Sequence, residues 1–186
     1  MPVTSAVPQF SWEDLGDDRS GRQHLGPTAP VRAYRLLYFS LRAVLIGEFG
    51  VAAARTLLRQ AGQLAGQEFC RRTLDTTRPV SAFLAQLQER LREERIALLR
   101  VEEVAEDLSR LVLSLAEDVD CSGVPPATEP VCHYEEGFIA GVISQYAGGC
   151  YEAREIACWA LGDRVCRYEI VRVQERPNEA MSQAMV

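Results

Sequence analysis

The sequence contains no lysine, and all 20 of its basic residues are arginines. Mechanisms that depend on a lysine amine, such as Schiff-base chemistry and Walker-type phosphate loops, are therefore excluded. Only two histidines, His24 and His133, are present as general-base candidates. No Gly-x-Gly-x-x-Gly motif follows a predicted strand, so no nucleotide-binding fingerprint is visible. We therefore expect ligand binding rather than catalysis, and we assign no catalytic residue.

Long apolar runs are also scarce. A membrane-spanning helix needs about 20 predominantly apolar residues, whereas the run over residues 43–54 is short and is interrupted by Glu48. The first five residues show neither the basic segment nor the apolar segment of a signal peptide. We expect a cytoplasmic protein without a membrane span, in which cysteines stay reduced and are available for metal binding or burial.

Positive charge is in deficit, with a net charge of −6 and a pI of about 5.1. This balance argues against a nucleic-acid partner and against docking on anionic lipid, since both need a basic surface. The 186 residues, 47% of them apolar, suit a single domain with a buried core. We place that domain at residues 31–175, between an irregular N-terminal arm at 1–30 and a disordered tail at 176–186.

Apolar periodicity predicts an α+β fold in which helices pack on an antiparallel sheet built from two hairpins. The predicted helices cover residues 31–47, 51–73, 81–94 and 132–146. The predicted strands cover residues 96–101 with 110–115, and 150–159 with 164–173. A rival interpretation makes residues 102–115 one helix, because Glu, Ala and Leu favour helices.

Two details of the predicted helices bear on packing. Gly62 and Gly66 lie four residues apart, and each costs about 1 kcal/mol of helix propensity relative to alanine. Close approach of another backbone or of a ligand is the expected compensation. The helix over 31–47 carries an apolar face at three- and four-residue spacing, formed by Val31, Tyr34, Leu37, Tyr38, Leu41, Val44 and Leu45.

Three of the six cysteines have a spacing that suits a metal site. Cys132 opens a predicted helix, while Cys158 and Cys166 flank the turn of the second hairpin, so a helix packed on that hairpin brings the three together. A structural zinc site takes four ligands in a tetrahedron. Glu155 reaches the same point if the strand contains a bulge. His133 and Cys150 are rival fourth ligands, and simple burial of the cysteines is the alternative to any metal.

The segments Cys132-His133-Tyr134-Glu135-Glu136-Gly137-Phe138-Ile139-Ala140-Gly141 and Glu155-Ile156-Ala157-Cys158-Trp159-Ala160-Leu161-Gly162-Asp163, followed by Cys166, resemble the 4-vinyl-reductase domain family. The strong resemblance covers residues 132–170, and a weaker pattern extends back to about residue 31. The family includes a bacteriochlorophyll-biosynthesis protein and the sensor halves of phenol- and xylene-responsive activators, and it is related to vesicle-tethering subunits. The resemblance implies a structural zinc bound by Cys132, Glu155, Cys158 and Cys166.

The resemblance leads to three functional hypotheses. The first is a zinc-stabilised binding or carrier domain, a homodimer whose ligand is a small hydrophobic, aromatic or tetrapyrrole-like molecule. The second is a tetrapyrrole-biosynthesis protein that acts in 4-vinyl reduction. The third is a sensor module that works through a separate regulatory partner.

The implied zinc site also makes a demand on its surroundings. Three thiolates and a carboxylate on Zn²⁺ carry a formal charge of −2, which needs nearby hydrogen-bond donors or positive charge. Three arginines, Arg154, Arg164 and Arg167, are close in sequence. We expect them to face solvent rather than the metal.

Overall fold

The structure is a computed structural model, and it describes residues 10–174. The predicted tail at 176–186 and the first nine residues of the predicted arm lie outside the described residues. The elements, in chain order, are a 3-10 helix Trp12–Leu15, α1 Asp18–Gly21, α2 Val31–Thr73, α3 Val80–Glu93, β1 Leu98–Val104, β2 Arg110–Ala116, α4 His133–Ala147, β3 Tyr151–Ala157, a 3-10 helix Trp159–Leu161 and β4 Cys166–Arg172.

The four strands form one antiparallel sheet in the order β1-β2-β4-β3. Both predicted hairpins are confirmed, and the rival helix over residues 102–115 is wrong because residues 110–116 are a strand. β2 and β4 occupy the centre of the sheet. Five successive residues of β2, from Leu111 to Leu115, are buried, as expected for a central strand covered on both faces. The predicted α+β class is confirmed.

Helix α2 spans both of the first two predicted helices. The helical backbone is interrupted at Gly50, whose φ of 77° is left-handed and favours glycine. The apolar face predicted for residues 31–47 is largely wrong as a core face: Tyr38 is buried, but Leu37 is 67% exposed and Val44 is 59% exposed. We call the exposed apolar residues Leu36, Leu37, Leu41 and Val44 the α2 stripe. Periodicity identified an apolar face, yet no described part of the chain covers most of it.

The α2 stripe belongs to a helix that is long and apolar enough, by length and composition, to cross a membrane. An 18-residue window of α2 has a mean hydropathy of 1.6, and only 6% of that window is buried. One such helix is weak support for a span, because other kinds of apolar helix pass the same test. The absence of a membrane span therefore stays a prediction.

The second half of α2 packs directly against α4 through glycines on both helices. A Cβ atom at Gly62 would overlap the carbonyl oxygen of Tyr134, and one at Gly66 would overlap that of Phe138. On α4, a Cβ atom at Gly137 would overlap the backbone of α2 in the same way. The compensation expected for the two α2 glycines is thus the backbone of a neighbouring helix, and α4 is held firmly in place.

Helix ends differ slightly from the predictions. The N-cap of α3 is Pro79 rather than a residue at the predicted start, Ser81. Proline fixes φ near the value that a helix start requires, which favours this earlier beginning. Helix α4 begins after Cys132 as its N-cap and ends at Gly148, whose left-handed conformation stops the helix. The predicted position of Cys132 at the start of this helix is therefore correct.

Candidate metal centre and ligand pocket

Four buried cysteines meet where the loop after β2, the start of α4 and the β3–β4 connection converge. Cys121 belongs to the loop, Cys132 caps α4, Cys158 follows β3 and Cys166 opens β4. Glu155 of β3 is the fifth member of this group, which we call the thiol cluster. The Sγ atoms and a Glu155 carboxylate oxygen all lie within 4.8 Å of one another. The cluster can hold a metal ion.

The sulfur atoms are arranged much as a tetrahedral ion would require. The Sγ atom of Cys121 lies 3.1 Å from that of Cys132, 3.2 Å from that of Cys166 and 4.0 Å from that of Cys158. The Sγ atom of Cys132 lies 4.0 Å from that of Cys158 and 3.9 Å from that of Cys166. Zinc–sulfur bonds of about 2.3 Å in a tetrahedron place sulfurs about 3.8 Å apart. The observed separations bracket this value.

The β3–β4 connection places Cys158 by local hydrogen bonds. The backbone N–H of Cys158 donates to Asp163 Oδ2 at 2.9 Å, and the Cys158 carbonyl accepts from the N–H of Leu161 at 2.9 Å. Gly162 then turns the chain with a φ of 100°. The sulfur of Cys158 is therefore presented from a short, internally bonded turn.

The strand before this turn contains the expected irregularity. The pairing of β3 with β4 shifts register between Glu155 and Ala157. A bulge lets residues that would alternate between faces approach one point. The bulge that the spacing of Glu155 and Cys158 required is therefore present.

The structure brings together every residue of the predicted ligand set, and it adds Cys121. Among the described residues, the two rival fourth ligands, His133 and Cys150, are not members of the thiol cluster. Sequence reasoning missed Cys121 because it treated residues 121–126 as a loop outside the cysteine-rich segment. The signal that could have found it is its chemical type, since this thiol lies only 11 residues before Cys132.

Glu155 lies at the edge of the cluster and is poorly supplied with hydrogen bonds. Its Oε1 atom accepts a long bond from the Tyr168 hydroxyl at 3.5 Å, and no partner in the described chain reaches its buried Oε2 atom. Burial, followed by the charge of Cys158, raises the pKa of Glu155 to about 9. Hydrogen bonds from the neighbouring thiols, Cys121 first, lower the pKa of Cys158, so this sulfur is the favoured thiolate.

Glu136 fixes the backbone next to the cluster. Its Oε1 atom accepts the backbone N–H of Glu155 at 2.8 Å. Its Oε2 atom accepts from Arg59 Nε at 2.6 Å and contacts His133 Nδ1 at 3.1 Å. Burial opposes ionisation of Glu136, but its hydrogen bonds, that of His133 foremost, outweigh burial and lower the pKa. This buried carboxylate therefore joins α2, α4 and β3.

The loop that carries Cys121 is held from two sides. Asp118 Oδ1 accepts the Cys121 N–H at 2.7 Å, and Arg35 donates to the carbonyl oxygens of Val119 at 2.7 Å and Ser122 at 2.8 Å. Arg35 is distant in sequence and was not anticipated. The first half of α2 therefore helps to place a member of the thiol cluster.

The arginines near the cluster in sequence point away from it. Arg154 and Arg164 are exposed, as expected. Arg167 is half-buried and pairs with Glu102, with an N–O distance of 2.5 Å. None of these three guanidinium groups is recorded in contact with a cluster sulfur within the described chain.

A cavity of about 500 Å³ lies beside the thiol cluster, between the first turn of α2, the segment after α3, the loop after β2 and α4. We call it the ligand pocket. Its wall is mostly apolar and aromatic, and includes Tyr34, Ile96, Val119, Tyr134 and Phe138. This volume falls within the range of small-molecule sites in proteins.

Asp120 is the distinctive polar group of the ligand pocket. It is 1% exposed, and its Oδ1 atom accepts the Tyr34 hydroxyl at 2.5 Å. Its Oδ2 atom is buried without a hydrogen-bond partner among the described residues. Burial raises the pKa of Asp120 to about 7, against the opposing hydrogen bonds of the Tyr34 hydroxyl and the Glu135 backbone N–H. An acceptor is thus left open at the pocket wall.

The part of the chain that builds the thiol cluster matches a known domain family. Residues 111–172 match the family model of the 4-vinyl-reductase domain. The matched segment spans β2, α4, β3 and β4, and it contains the whole thiol cluster. The resemblance to the 4-vinyl-reductase domain family is confirmed.

Two uncharacterized proteins of Methanocaldococcus jannaschii are similar in sequence. The first, MJ1642, is 35% identical over 81 residues, which are 43% of this chain and 48% of that protein. The chain thus matches about half the length of this relative. The second, MJ0150, is 26% identical over 164 residues, which are 88% of this chain and 87% of that protein.

Three solved structures share the fold. The phenol-responsive sensory domain of the transcription activator PoxR, solved with phenol, has a TM-score of 0.63 at 17% identity, over 80% of this chain and 77% of that one. Subunit 3 of the trafficking protein particle complex from Naegleria fowleri, covalently bound to palmitic acid, has a TM-score of 0.63 at 15% identity, over 80% and 98%. A vinyl-4-reductase family protein from Methanocaldococcus jannaschii has a TM-score of 0.60 at 14% identity, over 91% and 99%.

Proposed function

We propose that this chain is a small-molecule-binding domain whose fold is stabilised by zinc at the thiol cluster. The observation that carries the proposal is the pocket acceptor, Asp120 Oδ2, which is buried without a hydrogen-bond partner in the described chain. A buried polar atom without a partner costs free energy, about 1 to 3 kcal/mol. A ligand that donates a hydrogen bond to this atom removes that cost.

The composition of the pocket wall indicates the ligand class. Tyr34, Tyr134 and Phe138 offer aromatic surface, and Ile96 and Val119 offer aliphatic surface. A compact aromatic molecule that carries one hydroxyl or amine group matches both the apolar wall and the open acceptor. The fold shared with the phenol-bound sensory domain of PoxR supports this class. We therefore propose an aromatic ligand with a hydrogen-bond donor.

The donor set of the thiol cluster fits zinc. Thiolates are soft ligands that select zinc, and a buried tetrahedral set is typical of structural sites. The ion would connect the loop after β2, the start of α4 and the β3–β4 connection through Cys132, Cys158 and Cys166, with a fourth ligand from the same cluster. A closed set of four protein ligands gives the metal a structural role, which is consistent with ligand binding rather than catalysis.

A sensor that works through a separate partner is the second candidate function, and the fold of the PoxR sensory domain favours it. In that case the α2 stripe would serve as a contact surface. We propose that this stripe mediates a homodimer, because large exposed apolar patches mark interaction sites. We place the protein in the cytoplasm, where its thiols remain available to the metal.

Thermal stability in the presence of simple probes tests the ligand proposal. We expect phenol and aniline to raise the melting temperature at millimolar concentration, because each donates a hydrogen bond, and toluene to raise it less. Asp120→Asn should change the preference among the three probes, because its amide can present an NH₂ donor in place of the carboxylate acceptor. Glu94→Gln, at the pocket rim, is the control and should leave the preference unchanged. Equal effects of toluene and phenol on the wild-type protein would contradict the proposal.

Metal content tests the zinc proposal separately. Protein purified without chelator should contain one zinc per chain by elemental analysis. Removal of the zinc should lower the melting temperature, since a metal that binds only the folded chain stabilises it by mass action. A protein that folds with equal stability and contains no metal would leave the cysteines as buried core residues.

A further inference from the structure

We propose that Cys121 supplies the fourth metal ligand, so that the thiol cluster binds its ion through four sulfur atoms. This inference rests on the proposed zinc site and specifies its ligands. It departs from the ligand set that the family resemblance implies, in which Glu155 accompanies three cysteines. In the proposed arrangement, Glu155 lies beside the metal without binding it.

The position of the Cys121 sulfur is the first argument. Its distances to the other three sulfurs, 3.1, 3.2 and 4.0 Å, are similar to those among the others. Four sulfurs separated by about 3.8 Å define the tetrahedron of a zinc tetrathiolate. Side-chain adjustments of well under about 1 Å bring the observed set to that geometry. Cys121 is also fully buried, so its thiol faces the cluster rather than solvent.

The support of the loop is the second argument. Asp118 Oδ1 accepts the N–H of Cys121 at 2.7 Å, and the Cys121 carbonyl accepts the N–H of Val124 at 2.9 Å. Arg35 fixes two nearby carbonyls, those of Val119 and Ser122. Both polar groups of the Cys121 backbone are therefore bonded. A ligand held in this way needs little reorganisation when the metal binds.

The chemistry of the two candidate ligands is the third argument. Zinc in a structural site is most often bound by sulfur and nitrogen, and tetrathiolate sets are among the common ones. Four thiolates fill a tetrahedral ion, so no position remains for a carboxylate. Glu155 is instead within reach of the Tyr168 hydroxyl at 3.5 Å, and that hydroxyl donates to Glu135 Oε2 at 2.6 Å. Glu155 therefore belongs to a polar group that borders the cluster.

X-ray absorption of the zinc-loaded wild-type protein tests the inference without any mutation. We expect four sulfur neighbours at about 2.3 Å and no oxygen neighbour near about 2.0 Å. Three sulfurs with one oxygen would overturn the assignment of Cys121 while leaving the zinc site itself intact. A protein that takes up no zinc would overturn the zinc proposal as well, so the two failures are distinguishable.

Two near-isosteric variants provide the second measurement. Cobalt replaces zinc, and its thiolate-to-metal absorption should fall by about a quarter in Cys121→Ser, because three of four thiolates remain. Competition with a chelator should show an affinity loss of roughly 100-fold or more for this variant. Glu155→Gln should retain the absorption and lose less than about 10-fold in affinity. The reverse pattern, with the larger loss in Glu155→Gln and unchanged absorption in Cys121→Ser, would overturn the inference.

Discussion

Asp120 and Cys121 are consecutive in the chain but contribute to different sites. Asp120 lines the ligand pocket with a carboxylate, and Cys121 places its sulfur 3.1 Å from that of Cys132 in the thiol cluster. One short loop thus forms a wall of the pocket and a side of the candidate metal centre. Metal binding and ligand binding are expected to be linked through this loop.

The first prediction concerns this linkage. Removal of zinc should increase amide hydrogen exchange in the loop between β2 and α4, because the loop loses its attachment to the cluster. Exchange measured by mass spectrometry on zinc-loaded and zinc-depleted protein checks this. The amides of α3, which contributes no ligand, serve as the internal control. A uniform increase over the whole chain would show a global loss of stability instead.

The second prediction concerns the glycine contacts between α2 and α4. Gly137→Ala should destabilise the protein by about 3 kcal/mol, because its Cβ would overlap the backbone of Arg59 and one helix must move. Gly47→Ala is the matched control, since its Cβ would meet open space in the exposed part of α2. That change should stabilise the protein by about 0.5 to 1 kcal/mol through reduced freedom of the unfolded chain. Urea unfolding measures both, and equal effects would refute the packing argument.

The third prediction concerns pH. The folded chain lowers the pKa of Glu136 below its ordinary value of 4.5, so its ionisation stabilises the fold above that value. This contribution is lost as the pH falls through the folded pKa. Glu136→Gln should therefore cost about 1 to 3 kcal/mol at about pH 7 and less at about pH 4. Unfolding of metal-depleted protein at both values of pH separates this effect from metal release.

Glu102→Gln is the control for Glu136→Gln. The hydrogen bond from Arg167 also lowers the pKa of Glu102, but this pair lies near the protein surface, where an ion pair contributes under about 1 kcal/mol. Its loss should change stability little at either pH. If both variants behave alike, the network around Glu136 does not contribute as argued.

The fourth prediction concerns the α2 stripe. We expect a homodimer in solution, and Val44→Glu should shift it towards monomer by placing a charge in the apolar interface. Sedimentation measures the change. Leu98→Glu, at an exposed apolar position on the edge strand β1, is the control and should leave the dimer intact. A monomeric wild-type protein that floats with phosphatidylcholine vesicles would favour a membrane contact instead.

The features that could be predicted from the sequence are those that local pattern controls. Strand alternation and the turn at Gly162 located the second hairpin, and the spacing of Glu155 and Cys158 anticipated the bulge. Cys121 escaped because its role depends on a loop that folds back onto β4. Asp120 drew no attention, since its open acceptor exists only once distant parts of the chain surround it.

The exposed positions of Leu37 and Val44 escaped prediction for a related reason. Their spacing places them on one face of a helix, and that face is apolar as expected. Periodicity identifies such a face but does not reveal what covers it. The covering of a helix is decided by tertiary packing, and in α2 the packed part is the half after Gly50.

The interruption of α2 at Gly50 has a mechanical consequence. The half of the helix after Gly50 is locked to α4 by interpenetrating backbones, whereas the half before it carries Tyr34 at the pocket and the α2 stripe on its outer side. A Cβ built at Gly50 meets no neighbour within 4 Å, so this residue can act as a pivot. We expect occupancy of the pocket to tilt the first half like a lever, so that a molecule bound inside alters the surface that the helix presents outside.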